Sequence, residues 1–124
     1  MPYSDKVIEN FRDASHYGRM EDADAVGQVG NIKCGDVMWI YLKVRDDVIT
    51  EASFETFGCV AAIAASNVAI EMIIGKTLDQ ALKVSNQDVV DALDGLPPEK
   101  LHCSVLAEEG IRKAIDGYRE GRED

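Results

Sequence analysis

Five residues combine donor chemistry with a position at an element boundary: Cys34, Asp36, Cys59, His102 and Cys103. Cys34 and Asp36 fall in "NIKCGDV", Cys59 opens "CVAAIAASNVAIEMII", and His102 and Cys103 are adjacent in "KLHCSV". Three thiolates with one imidazole or carboxylate supply four donors. That number satisfies a tetrahedral zinc and is also the protein ligand count of a 2Fe-2S cluster. No CxxC knuckle is present, so such a site must be assembled by the fold, one cysteine from each of three elements. A nucleophile–base–orienter set of Cys103, His102 and Asp36 is a further arrangement. Adjacent side chains at a helix start are expected to diverge, and that set leaves Cys34 and Cys59 without a role. The chain is therefore not read as an enzyme.

The elements that must position these residues follow from periodicity and punctuation. Ser4 is placed to N-cap a helix over residues 5–14, with Tyr3, Val7, Ile8 and Phe11 on its apolar side. Residues 15–24 read as loop. "AVGQVGNI" is a short, glycine-interrupted strand. "DVMWIYLKVRDD" alternates Met38, Ile40, Leu42 and Val44 against Val37, Trp39, Tyr41 and Lys43. After a turn at Asp46-Asp47, "VITEASFETF" alternates Val48, Thr50, Ala52 and Phe54 against Ile49, Glu51, Ser53 and Glu55, so the two strands form an antiparallel hairpin. The alanine-rich run after Gly58 is a helix stopped by Gly75. Thr77 opens another, with Gln80 completing a capping box, and Ser85 a third, to about Leu93. A last helix over 101–118 offers Leu101, Val105, Leu106, Ile111 and Ile115 to the core. The fold class is α+β: a small antiparallel three-stranded sheet packed against four to five helices, with a helical C-terminal half. Cys59 and Cys103 then sit at helix N-termini, where unpaired N–H groups favour a thiolate. None of the cysteines lies mid-face in the expected core.

The totals bound the function. At 124 residues the chain is one domain with one core. Its net charge of −10 repels nucleic acid and anionic lipid. No apolar run approaches the ~20 residues that span a bilayer, and no signal core precedes the first helix, so a soluble, cytoplasmic protein is expected. An odd cysteine count argues against a complete disulfide framework. "IIGKT" echoes the end of a phosphate-binding loop, but Ile70 stands where the first glycine is required. Gly27 and Gly30 make no dinucleotide fingerprint, because no helix follows them. His16 is expected to be structural or exposed, and Trp39 to lie in the sheet core.

The order "CGD", then "FGC" opening an alanine-rich helix, then "LPPxKxHCS" before a final helix resembles the U-type iron–sulfur cluster scaffolds, the IscU proteins and the N-terminal domain of NifU. "YSDKVIENF" resembles their first helix, so the likeness extends over nearly the whole chain. It implies a single scaffold domain spanning residues 1–124 that builds a transient 2Fe-2S cluster from iron and from sulfur delivered by a pyridoxal-phosphate cysteine desulfurase, then passes it to recipient apoproteins. By the same resemblance Cys34, Cys59 and Cys103 match the scaffold cysteines, Asp36 the aspartate that keeps the cluster labile, and His102 the histidine beside the third cysteine. Asp36 and His102 remain alternatives for the fourth ligand. The oligomeric state stays open, a homodimer or larger assembly included. Zinc binding by the same three cysteines, with a role as sulfur acceptor, is the alternative function. Two segments depart from the family pattern. Residues 96–100 read "LPPEK", from Leu96 to Lys100, where a motif recognised by an Hsp70-type chaperone resembles "LPPVK"; Glu99 takes the apolar position. "RDASHYGRM" replaces an "NPRN"-like loop. The stretch between Cys59 and Cys103 lacks the insertion of the zinc-binding SufU branch.

Overall fold

The computed structural model describes residues 3–31 and 36–123, the side chains of residues 31, 36 and 121–123 excepted. Helix α1 (Asp5–Arg12) starts where the Ser4 side chain accepts the Val7 N–H at 3.2 Å. The Ser4 hydroxyl also donates to the Leu93 carbonyl, tying this N-terminus to the helical half. Three antiparallel strands follow in sheet order: β1 (Ala25–Asn31), β2 (Asp36–Arg45) and β3 (Val48–Thr56). Asp46 and Asp47 both have positive φ, 52° and 65°. Two successive left-handed residues match the right-handed twist of the strands they join.

The helices are α2 (Val60–Ile73), α3 (Leu78–Leu82), α4 (Asn86–Ala92) and α5 (Leu101–Glu123), the last preceded by a 3-10 turn (Pro98–Lys100). The Thr77 capping box at α3 forms as expected, and Ser85 with Asp88 makes a second at α4. Gly75, at φ +86°, ends the α2 segment in a conformation that side chains disfavour. Ala61, Ala62, Ala64, Ala65, Ala69, Ile70 and Ile73 of α2 are all buried. A helix apolar on every side belongs in the interior, and α2 packs against α1, α5, β3 and α4 at once. Its small side chains let those neighbours approach from several directions.

Helix α5 crosses the sheet along β1. A Cβ built on Gly27 would stand 2.4 Å from the Gly110 carbonyl oxygen and 2.6 Å from the Ala114 nitrogen. Helix and strand backbones therefore meet with nothing between them. This contact corrects the expected helix face. Ile111 and Ile115 are buried as expected, but Leu101 and Val105 are exposed, and Cys103, Ala107 and Ala114 take the inward positions with them. A helix this close to a strand presents small residues to it. The helix also runs to Glu123, past the expected end, and α1 stops at Arg12 rather than residue 14.

Two further expectations are corrected. Ile49 is fully buried beside Ala52 and Phe54, although strict alternation puts it on the opposite face. The pairing shifts between Lys43 and Val44: Lys43 faces Glu51, Val44 faces Ile49, and Thr50 is the extra residue of a bulge. One inserted residue inverts the side-chain parity beyond it. Trp39 is only partly buried and lies on the outer face of the sheet, edge-on to Phe57 with ring centroids 5.4 Å apart. Parity within β2 requires this, because Met38 and Ile40 occupy the core face. His16 proves structural: its N–H donates to Asn67 Oδ1 at 3.1 Å and its carbonyl accepts the Phe54 N–H at 3.0 Å.

Tyr41, also on the outer face, donates to Glu55 Oε1 at 2.5 Å. Burial first, then this hydrogen bond and the adjacent carboxylate charge, push its pKa up to about 12. A phenol whose pKa is raised by folding supports stability below its unfolded pKa, near 10, and that support is lost as pH climbs through the folded value. The urea midpoint of the parent should thus fall relative to Tyr41→Phe between pH 10 and pH 12.

Urea titration should also separate two glycines. Gly27→Ala should cost about 2 kcal/mol, because its Cβ has only backbone to displace. Gly117→Ala, in α5 with no heavy atom near the added Cβ, should stabilise by about 0.5 to 1 kcal/mol.

Candidate metal and sulfur site

Cys59 is the N-cap of α2, with extended backbone (φ −80°, ψ −174°). The turn that delivers it is pinned to the start of β2. Val37 O accepts the Thr56 hydroxyl at 2.7 Å and the Phe57 N–H at 3.2 Å, and Thr56 Oγ1 in turn accepts the Gly58 N–H at 3.0 Å. Residue 37 follows Asp36 directly, so the backbone that carries Asp36 and the turn that carries Cys59 meet at one edge of the domain. Asp36 is described by its backbone alone, paired with Asn31 at the end of the β1–β2 ladder. Cys34 lies outside the described residues.

Cys103 and His102 arrive on the first turn of α5. Cys103 is fully buried and joins the hydrophobic core, in contrast to its expected place at a boundary outside any core face. The His102 ring does not diverge from it: Nε2 lies 3.7 Å from Cys103 Sγ. Adjacent residues at this helix start converge, which removes one objection to a Cys–His pair. Complete burial of the thiol still argues against Cys103 as a nucleophile.

Cys59 packs against the core cluster that contains Cys103, and the Cys103 thiol is among the groups that favour ionisation of Cys59. Partial burial opposes ionisation of Cys59 and is the largest single influence. It is outweighed together by the Ala62 and Ala61 N–H groups, the Lys100 ammonium and the Cys103 thiol, so the Cys59 thiol is held below its ordinary pKa. The N–H groups are the free donors of the first turn of α2, the physical basis of anion binding at helix N-termini. Lys100 responds in kind: the charge of Cys59, ahead of its other neighbours, raises the ammonium pKa. Sequence reasoning took Lys100 only as the end of a chaperone-like motif. The available signal was a cation two residues before the His-Cys pair in a chain of net charge −10.

The fold thus gathers Cys59, His102 and Cys103 near the edge where β2 begins. Among the described residues, no three His, Cys, Asp or Glu side chains stand in a metal-binding arrangement. The thiolate at Cys59 is the species that binds soft metal or attacks sulfur.

The family model for the NifU-like N terminal domain matches residues 2–124. The chain belongs to this family. It is 53% identical over 116 residues to an iron–sulfur cluster assembly scaffold protein IscU of Archaeoglobus fulgidus, covering 94% of this chain and 76% of the relative. It is 42% identical over 127 residues to the Escherichia coli iron–sulfur cluster assembly scaffold protein IscU, covering 99% and 98%. The nitrogen fixation protein NifU of Trichormus azollae matches at 48% over 125 residues, covering 94% of this chain and 42% of that longer protein. In fold, the chain superposes with a TM-score of 0.79 on a Fervidobacterium islandicum protein described as an iron–sulfur scaffold of the SUF system, at 26% identity, covering 93% of this chain and 97% of that one. A Brucella abortus NifU-like N-terminal structure shares the fold at a TM-score of 0.74 and 21% identity, covering 99% and 96%.

Residue-resolved alkylation of the metal-free protein tests this site. Cys59 should react with iodoacetamide well before buried Cys103. Its rate should rise with pH about a midpoint below that of an unperturbed thiol, because its thiolate forms earlier. Equal rates at the two cysteines, or an unshifted midpoint, would contradict the geometry.

Proposed function

We propose that this chain is a scaffold on which a 2Fe-2S cluster is assembled and then released. The observation that carries the reading is the convergence of Cys59, the N-cap of α2, and Cys103, in the first turn of α5, near the edge where Asp36 opens β2. Membership of the NifU-like N-terminal family and the similarity to IscU proteins support it. The cluster is cargo rather than a resident cofactor, and the chain itself is not an enzyme. Cys34, Cys59 and Cys103 hold iron in this reading, with Asp36 or His102 as the fourth ligand. A carboxylate is a harder donor than thiolate and a poorer match to an iron–sulfur cluster. A scaffold that must release its cargo gains from one weak ligand.

Sulfur comes, in this reading, from a pyridoxal-phosphate cysteine desulfurase, and the finished cluster passes to recipient apoproteins in a reducing, cytoplasmic setting. Among the described residues, no helix is long and apolar enough to cross a membrane. A chaperone contact at residues 96–100 is less well supported, because Glu99 replaces an apolar residue. The second reading is zinc held by the same cysteines as a sulfur acceptor. The thiol–imidazole donor set favours it chemically, since it suits zinc as well as iron.

Anaerobic incubation with ferrous iron, cysteine and a cysteine desulfurase, followed by visible spectroscopy and iron, zinc and acid-labile sulfide analysis, separates the two. Scaffold function predicts a reddish-brown product with equal iron and sulfide, lost in Cys34→Ser, Cys59→Ser and Cys103→Ser. Asp36→Ala should lengthen the lifetime of the cluster in air. A colourless protein that retains stoichiometric zinc and resists iron would establish the zinc reading instead.

A further inference from the structure

The outer face of the sheet carries an apolar groove that the cysteine site does not use. Strand pairing sets Val26 beside Tyr41, Gln28 beside Trp39 and Trp39 beside Glu55, so these side chains share one face. Helices α2 and α5 lie against the other face, where Ser66 meets Met38 and Gly110 meets Ile40. The groove measures about 750 Å³ and is lined by Val26, Trp39, Tyr41 and Phe57 among others. Val26 is 50% exposed, and Phe57, just beyond the end of β3, is 76% exposed. The Phe57 ring stands edge-on to Trp39 at the groove. An exposed aromatic knob beside an open apolar recess marks a contact surface, because water solvates both poorly.

Charge and shape identify the occupant. The chain carries 13 Lys and Arg against 23 Asp and Glu, so two copies repel one another over most of their surface. The charged residues of the groove are Arg19, Lys113, Glu21 and Glu55, two of each sign. A patch with balanced charge faces its own copy without net repulsion, and it offers no field to a strongly acidic or basic partner. A two-fold interface also needs projection and recess on one patch, since residue i contacts j while j contacts i. Phe57 is the projection and the groove beside it the recess. The Tyr41 hydroxyl already donates to Glu55 Oε1 at 2.5 Å, so covering this face leaves that donor satisfied. We propose that the outer sheet face is a homodimer interface in which Phe57 of each copy seats in the groove of the other. Neither metal nor cluster is required for this contact.

Sedimentation equilibrium of the metal-free, reduced full chain, from micromolar concentration to about 1 mM, tests the interface. The 13.6 kDa monomer should give way to a species of twice its mass. Trp39 is the single tryptophan and lines the groove, so its emission should shift to the blue over the same concentration range. Phe57→Asp and Val26→Glu should each weaken association about tenfold or more, with circular dichroism showing that the variants are folded. Phe11→Asp, on α1 and outside the groove, should leave it unchanged. Raising salt to about 1 M should tighten the dimer, because it screens the net repulsion and spares the apolar contact. A chain that stays monomeric to about 1 mM overturns the proposal and leaves the groove to a different protein. A dimer that survives in both groove variants, or one that forms without any change in Trp39 emission, overturns it as well, since the contact then lies on another face.

Discussion

The backbone contact between α5 and β1 sets the geometry on which the site depends. At Gly27, Gly110 and Ala114 helix and strand approach until no side chain fits between them. Contact at this range leaves little freedom of rotation or sliding along the helix axis, since any shift drives backbone into backbone. The first turn of the same helix carries His102 and Cys103. Cys103 is thereby buried against the core with the His102 ring folded toward it, instead of projecting from a frayed terminus.

The other half of the site is fixed by polar contacts. The Thr56 side chain and the Phe57 N–H both use the Val37 carbonyl, so the turn into α2 cannot leave the start of β2 without losing two hydrogen bonds. Cys59 then caps a helix whose interior position is enforced by burial on nearly every side. A rigid helix N-terminus and a packed helix start bring two thiols together, with the Asp36 end of β2 alongside. In the proposed scaffold role, rigidity in these elements would leave reversible binding to the ligands themselves, where a hard oxygen donor among soft sulfurs would weaken the hold.

Charge distribution completes the picture. An acidic chain is a poor environment for a thiolate, yet the Cys59 thiolate is favoured locally by α2 N–H groups and by Lys100. Local donors a few ångströms away outweigh a diffuse surface charge, because screening removes most of the distant contribution. The site can thus be electrostatically receptive within a chain of net charge −10.

Local chemistry decided a large part of this structure. Ser4, Thr77 and Ser85 start helices because their side chains satisfy N–H groups within their own turn, and Asp46-Asp47 reverses the chain through its own dihedrals. Such features depend on neighbours in sequence, so the sequence displayed them, along with the α+β class and the boundary positions of Cys59 and Cys103. What depended on distant partners stayed hidden. The Thr50 bulge that turns Ile49 inward is defined by pairing with β2. The exposure of Leu101 and Val105 and the burial of Cys103 follow from how closely α5 rides on Gly27. The influence of Lys100 on Cys59, 41 positions earlier in the chain, likewise depends on the fold. Periodicity identifies an apolar face, but only packing selects which small residues meet a backbone and which cation influences a thiolate, because those choices are made by contacts between segments far apart in the sequence.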